Sequence, residues 1–204
     1  HYLSAFERSE GKKAGPAWVD PIRKEAIVRF ADLGFPTTKD EEWRYTNVAP
    51  IVQVPFGPAF PETDGLTTVP ALERAISVRL PPHRLLFLNG HFVPGLSSCE
   101  GLPDRVKASS LKEAYDKDRD QLEGHLARHA DYESHAFVAL NTAFMEDGAY
   151  LRVPAGEILE EPIFLLFISV GGERAVVSYP RNLIVAERGS QVTVVEQYLG
   201  LGAQ

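Results

Sequence analysis

The sequence predicts an α+β protein in which helices and a β-hairpin come first and a run of short strands comes last. Three observations predict it. Apolar residues recur at three- and four-residue spacings up to about Met145, an Asn-Gly dipeptide separates two apolar runs, and from Tyr150 onward β-prone runs alternate with Gly and Pro.

Taken in order, Ala17 to Leu33 is a helix, because Trp18, Ile22, Ala26, Ile27 and Phe30 share a face, Pro21 sits near the start and Gly34 follows the end. Thr38 and Glu41 match a capping box, which predicts a short helical turn through Trp43. Between Pro50 and Pro82 the prolines Pro55, Pro58, Pro61, Pro70 and Pro81 remove backbone donors too often for continuous structure. That stretch reads as loops around one short helix over Ala71 to Ala75.

Leu85 to Leu88 and His91 to Val93 flank Asn89-Gly90, which tolerates positive φ at both corners of a type I′ turn, so a hairpin is predicted. Ser110 and Glu113 form a second capping-box pattern. From it Leu111, Ala114, Tyr115, Leu122 and Leu126 extend an apolar stripe toward His129, and Ala136 to Met145 is a further helix. The strand-like runs are Tyr150 to Val153, Ile163 to Val170, Ala175 to Ser178, Leu183 to Glu187 and Val192 to Tyr198. Their spacing suits a sandwich, a barrel or a solenoid and does not choose among them. The chain therefore divides into an amino-terminal region, residues 1–148, and a strand-rich region, residues 149–204.

Composition narrows the function. In 204 residues 44% are hydrophobic, ample for a buried core. The net charge of -7, with no basic cluster longer than Lys12-Lys13, excludes a phosphate-tracking surface, so nucleic acid is not an expected partner. The longest apolar run, Ile163 to Val170, is far short of the ~18 residues of a membrane span, and His1 to Lys13 lacks a signal-peptide core. The lone cysteine, Cys99, forms no internal disulfide or Cys-rich metal site and fits a reducing, cytoplasmic compartment. No phosphate-cradling GxxxxGK[ST] segment, GxSxG elbow or dinucleotide fingerprint is present; Gly200 and Gly202 do not make one.

Four separated stretches are more specific than composition. They are Lys39-Asp40-Glu41-Glu42-Trp43-Arg44-Tyr45-Thr46; Phe87-Leu88-Asn89-Gly90-His91-Phe92-Val93; Leu140-Asn141-Thr142-Ala143-Phe144 leading through Asp147-Gly148 to Val153-Pro154-Ala155-Gly156; and Pro180-Arg181-Asn182-Leu183 followed by Val194-Val195-Glu196-Gln197-Tyr198. In that order they resemble the SufB/SufD family of the SUF iron-sulfur cluster assembly machinery, over roughly Phe35 to Leu199. The resemblance implies that Tyr150 to Tyr198 form the first coils of a right-handed parallel β-helix. It also implies a non-catalytic scaffold-complex subunit whose β-helix pairs with that of SufB, while the ATPase SufC docks on a helical carboxy-terminal region. The iron-sulfur cluster then belongs to the complex, and residues implicated in its formation lie in later coils, so none carries over here and Cys99 does not correspond to them. The start at His1 and the stop after Gly200-Leu201-Gly202-Ala203-Gln204 are read as those of an amino-terminal fragment. Its docking region would be missing, and its open β-helix end, around Val192, Val194 and Val195, would self-associate.

Individual residues are read as follows. His125 and His129, four apart on an expected helix, have the spacing that lets two imidazoles face one metal ion, but no carboxylate motif accompanies them and a solvated helix end is the simpler reading. His91 belongs to a strand face, His135 to a cap region, and His83 to an exposed loop. Cys99 has no base or helix start to activate it. No metal is expected. Trp43, Arg44 and Tyr45 read as architecture, with both aromatics buried. A second reading, from the strands alone, is a β-solenoid enzyme acting on carbohydrate with Glu187 and Glu196 as its carboxylates and Arg188 assisting.

Overall fold

The computed structural model describes residues 2–10, 15–59, 68–76, 79–171 and 175–201. His1, Lys12, Lys13, Pro61, Gly202, Ala203 and Gln204, named above, lie outside them. Helix α1 spans Tyr2–Glu10 and α2 spans Asp20–Leu33. Asp20 and a proline in the first turn suit the positive end of α2, and Gly34, at φ 65, ends it with its N–H on Phe30 O at 2.9 Å. Ala26, Ile27 and Phe30 face α7, Ala136–Phe144, and join Phe6, Ala139, Leu140 and Ala143 in one apolar cluster. Arg23, buried on the same face of α2, donates from Nε to Ala143 O at 2.9 Å, satisfying a carbonyl that the end of α7 leaves open.

The turn at Glu41–Trp43 forms as a single 3₁₀ turn, but not through the expected capping box. The carboxylate of Asp40 instead accepts from Thr37 N at 2.7 Å and Thr37 Oγ1 at 3.1 Å. Both donors belong to Thr37, one residue before the expected cap, so the Asp40 side chain closes the turn that precedes Glu41–Trp43 and leaves that turn without a side-chain cap. The proline-rich stretch holds two short helices rather than one, α3 at Ala49–Val52 and α4 at Val69–Ile76, with the two-residue strand β1, Gly57–Pro58. Proline in the first turn of each costs no helix bond.

The hairpin forms as expected. Strands β2, Arg84–Leu88, and β3, His91–Phe92, turn through Asn89 and Gly90 at φ 49 and 83. Strand β4, Lys107–Ser110, leads into α5, Leu111–Lys117, whose first turn is capped by Ser110 Oγ accepting from Glu113 N at 3.1 Å. The expected continuous helix toward His129 breaks at Asp118 and resumes as α6, Arg119–His125. No apolar residue lies between Tyr115 and Leu122, so nothing packs to hold the middle straight, and the bend lets Leu111, Tyr115, Leu122 and Leu126 share one cluster with Tyr150.

Strands β5, Ala149–Val153; β6, Ile163–Val170; β7, Val176–Val177; β8, Leu183–Ala186; and β9, Val194–Leu201 complete the chain. Three sheets result, ordered β3-β2-β6-β9, β4-β5-β8 and β1-β7. β8 lies parallel to β5 with Tyr150 opposite Leu183, and β9 lies parallel to β6 with Ile163 opposite Val194. The bridge from Ile158 to Gln191 between them has the same sense. Two successive passes of chain are thus laid side by side. β2 pairs parallel with the other edge of β6, and β4 pairs antiparallel with the other edge of β5, so strands from both sides of residue 148 share each of these sheets.

β2 and β6 read as continuous apolar runs because both faces are covered. Leu85, Phe87, Leu165 and Phe167 face a core with Leu151 and Val153, while Leu86, Leu88, Leu166 and Ile168 face Leu72 of α4. At one level the rings of Phe87, Phe167 and Tyr198 stack across three neighbouring strands, at 4.9 Å and 14° and then at 4.9 Å and 15°. No helix among the described residues is long and apolar enough to cross a membrane.

Candidate functional site

Three of the four distinctive sequence stretches meet at Asp147-Gly148. The buried carboxylate of Asp147 accepts from Gly148 N at 2.9 Å, from Lys112 N in the first turn of α5 at 3.1 Å, and from Phe92 N of the hairpin at 3.3 Å. Its backbone carbonyl accepts from Arg181 N at 2.9 Å, and Gly148 O accepts from Leu111 N at 2.7 Å. Gly148, at φ 152, passes so close to Arg181 that a Cβ would lie 2.1 Å from the Arg181 carbonyl oxygen. The Pro180-Arg181-Asn182 stretch is fixed from the other side. Asn141 donates to Pro180 O at 2.9 Å, Arg181 donates to Thr142 Oγ1, and Asn182 Oδ1 accepts from Ala149 N at 2.9 Å. Asn182 also donates to Glu196 Oε1 at 3.1 Å, which ties in the last stretch. Polar residues that looked available for chemistry are bound to one another.

Beside this junction lies a mostly apolar cavity of about 110 Å³ between α1, the hairpin turn and β7, lined among others by Tyr2, His91, Phe144, Asp147 and Tyr179. His91 Nε2 is 3.1 Å from Ala59 O, so the ring joins the hairpin to the end of β1. Gly90 admits Ser178, whose Cβ would lie 2.7 Å from a Cβ at that position.

The Trp43 stretch borders a separate cavity of about 430 Å³ with Asp40, Glu41, Glu42, Phe35 and Phe137. Trp43 is half-buried, its ring 5.3 Å from that of Phe137. Burial of both aromatics was expected, and here the structure differs: Tyr45 is 91% exposed, with the Arg44 guanidinium 5.7 Å over its ring. The single turn ends at Trp43, so the next two side chains point away from α7. Hydrogen bonds from the Thr37 backbone and then its hydroxyl hold the Asp40 carboxyl below the usual carboxylate range.

The remaining candidates separate. His83 is only 12% exposed rather than free in solvent, with Nε2 3.1 Å from the Glu161 carboxylate, because Phe164 N bonds its carbonyl and draws it against β6. His135 Nδ1 stands 3.7 Å from Glu42. Cys99 packs against the strand core, and burial pushes its thiol up, away from reactivity. Glu187, just past β8, is paired with Arg152 at 2.6 Å and accepts from Ala155 N at 3.1 Å; the Arg152 bond is the main cause that lowers its carboxyl. Glu196, on β9 in the other sheet, is held by Asn182 and by Tyr198 Oη at 3.0 Å. The two carboxylates of the carbohydrate reading are thus occupied separately, and neither lines either cavity. His125 and His129 do meet, Nδ1 to Nε2 at 3.1 Å, although α6 has already ended at His125. No group of three or more metal-ligating side chains lies together among the described residues. Sequence reasoning missed Asp147 as the hub. The signal was there in Asp147-Gly148, an acid beside a glycine, but its partners lie up to 55 residues away.

Comparison with known proteins gives the family. A family profile for the SufBD protein N-terminal region matches residues 1–165. A SufBD family iron-sulfur cluster assembly protein of Synechocystis is 33% identical over 176 residues, which are 86% of this chain and 38% of that protein. The iron-sulfur cluster assembly proteins SufD of Escherichia coli and Bacillus subtilis are 25% and 27% identical over 98% and 97% of this chain. The chain spans 42% and 44% of their lengths. With that family profile covering most of its length, the chain belongs to the SufBD family.

Proposed function

We propose that this chain is part of a non-catalytic scaffold subunit for iron-sulfur cluster assembly, working in the cytoplasm with SufB and the ATPase SufC. Support comes from family membership and from the names its relatives carry. The observation that carries the non-catalytic reading is the Asp147 junction. Residues that distinguish the sequence are spent on internal hydrogen bonds, which fix how the helices, hairpin and strands join. An acid held by three backbone amides, two on Oδ1 and one on Oδ2, is a fastening, with three of its roughly four lone-pair sites committed to the fold.

The parallel, in-register laying of β8 on β5 and β9 on β6, with the aromatic stack from Phe87 to Tyr198, supports a β-helix whose first coils run from residue 149. On this reading β2 and β4, from the region before residue 148, cap one edge of the coils. The outer edges of β8 and β9 carry no strand partner among the described residues. They are the surface on which coils of the same subunit or a second copy would stack. The cluster, in this scheme, forms at the level of the complex.

The test is co-expression of the full-length protein with SufB and SufC of the same organism. A complex that survives size-exclusion chromatography, and a chain that alone neither binds nor hydrolyses ATP, is expected. Saturable ATP binding by the chain alone, or failure of the full-length protein to associate with both partners, overturns the proposal.

A further inference from the structure

At the end of α6 the backbone does something the sequence does not call for. Ala127 adopts φ 57, the left-handed region that an alanine seldom enters. The turn is held on both sides. Leu126 is buried in the cluster around Tyr150 and its N–H reaches Leu122 O at 2.7 Å, while Arg128 donates from Nε to Glu123 O at 3.2 Å. The consequence is that His129, beyond the helix, is brought back over His125. Their ring centroids are 5.4 Å apart, their planes 30° from parallel, and Nδ1 of His125 is 3.1 Å from Nε2 of His129.

That separation has chemical meaning. Two imidazole nitrogens at the usual metal–nitrogen distance of about 2.0–2.1 Å, subtending an angle between square and tetrahedral, stand about 2.9–3.4 Å apart. The nitrogens already stand at the bite of a chelate, on the solvent side of the molecule, but the 5.4 Å between ring centroids shows the rings meeting head-on, so each must swing about its side-chain torsions before both lone pairs converge on one ion. Both rings coordinate as neutral imidazoles. The N–H now joining them gives up its position by tautomerisation, its proton moving to the other nitrogen of the same ring, so two neutral rings take up one ion without net proton release.

The geometry points to a two-histidine site for a divalent late first-row transition-metal ion, formed by His125 and His129 and positioned by the left-handed turn at Ala127. The nearest acids in sequence, Glu123 and Asp131, do not complete the set, since Glu123 Oε1 is held by Arg119 Nε at 2.6 Å and the Asp131 carboxylate accepts from Glu133 N at 2.9 Å and from Ser134. Water fills the remaining positions, which makes the site a labile one that exchanges its ion and distinguishes it from a closed structural site. Copper(II) binds it more tightly than nickel(II) or zinc(II), following the general affinity order for nitrogen ligands. The inference does not rest on the proposed scaffold role.

The experiment is calorimetric titration of the purified, tag-free chain with nickel(II) and with zinc(II) at neutral pH, with circular dichroism confirming that each variant is folded. One ion per chain is expected. His125→Ala and His129→Ala should each weaken binding about 100-fold, the order of gain that two linked ligands have over one. His135→Ala, which removes a histidine outside the pair, should leave it unchanged. Ala127→Pro keeps both imidazoles but forbids positive φ, and should weaken binding as much as losing a ring. Absence of saturable binding by the unaltered chain, binding that survives either histidine substitution, or full binding by a folded Ala127→Pro chain overturns the site.

Discussion

Asp147-Gly148 and Trp43-Arg44-Tyr45 stand out in the sequence in the same way, yet the fold treats them in opposite ways. At the first, an acid is buried with three amide donors on its carboxylate, and a glycine lies where no side chain fits. At the second, the tryptophan is half covered by Phe137 and the tyrosine stands 91% exposed. An unusual order of residues can therefore be required by internal geometry or by something outside the chain, and burial distinguishes the cases. Substitutions at the first should be read in stability. At the second, the cost should shrink with burial, to nearly nothing at the exposed Tyr45.

The largest effect is expected at Gly148. An alanine Cβ would lie 2.1 Å from Arg181 O and 2.7 Å from Arg181 N, so the backbone must separate and the Pro180–Asn182 stretch must move with it. Gly148→Ala should cost about 4 kcal/mol, the upper range for a single change, or leave the chain unfolded. Denaturant unfolding measures it. A loss under about 1 kcal/mol would mean that the junction yields easily and that burial is a poor guide to what is required.

Asp147→Ala comes next. It removes the acceptor of three backbone amides, and although water can reach some of them, at least one buried donor is left unpaired, at about 2–3 kcal/mol. Asp147→Asn, which keeps one acceptor oxygen, should recover part of that. Equal losses for the two substitutions would show that charge, rather than the count of accepted bonds, holds the junction.

Much of the fold was legible because local rules decided it. Pro21 and Gly34 bounded α2, Asn89-Gly90 set the hairpin, Ser110 capped α5, and the unbroken run Ile163 to Val170 marked a strand covered on both faces. What was not legible depends on distance. The break at Asp118 follows from where Tyr115 and Leu122 must both point, and the turn expected to be capped by Thr38 carries no side-chain cap, while Asp40 bonds Thr37 just before it. The parallel sense of β5 with β8 and of β6 with β9 is a relation between separate passes of chain, which no local pattern encodes. The same holds for the junction: Asp147 could be seen in the sequence, whereas Phe92, Lys112 and Arg181 as its partners could not. His125 and His129 came together through a backbone turn at Ala127, not through the helical face that their spacing suggests.

Trp43 and Tyr45 sharpen the comparison on the exposed side. Trp43→Ala should cost about 2 kcal/mol, roughly half of what a fully buried indole costs, because only one face packs on Phe137. Tyr45→Ala should fall within about 0.5 kcal/mol, as at other surface positions. If Tyr45→Ala leaves the melting temperature unchanged but weakens association of the full-length protein with its partners, the stretch is an interaction surface. A melting temperature that falls as far for Tyr45→Ala as for Trp43→Ala would instead return the motif to architecture.

Glu187 lies between the two extremes, with internal partners like those of Asp147 but a position at the solvent rim, and it should give the smallest effect. The Arg152 hydrogen bond, then the Ala155 amide, hold its carboxyl below the ordinary value. A group whose folded value is depressed contributes stability that is fully present above the unfolded value, about 4.3 for glutamate, and is lost as pH falls through the folded one. In that window the unfolded chain binds the proton more readily, so stability rises with pH. Glu187→Gln removes the titration and keeps one acceptor oxygen. The variant should therefore melt slightly below the unaltered chain near neutral pH, with the gap closing as the pH is lowered past the carboxylate range. Solvent screening at the rim keeps the gap small. A gap that stays constant with pH would mean that the pair with Arg152 does not bind the ionised form preferentially, and that exposure alone, not partnering, sets the behaviour of this carboxylate.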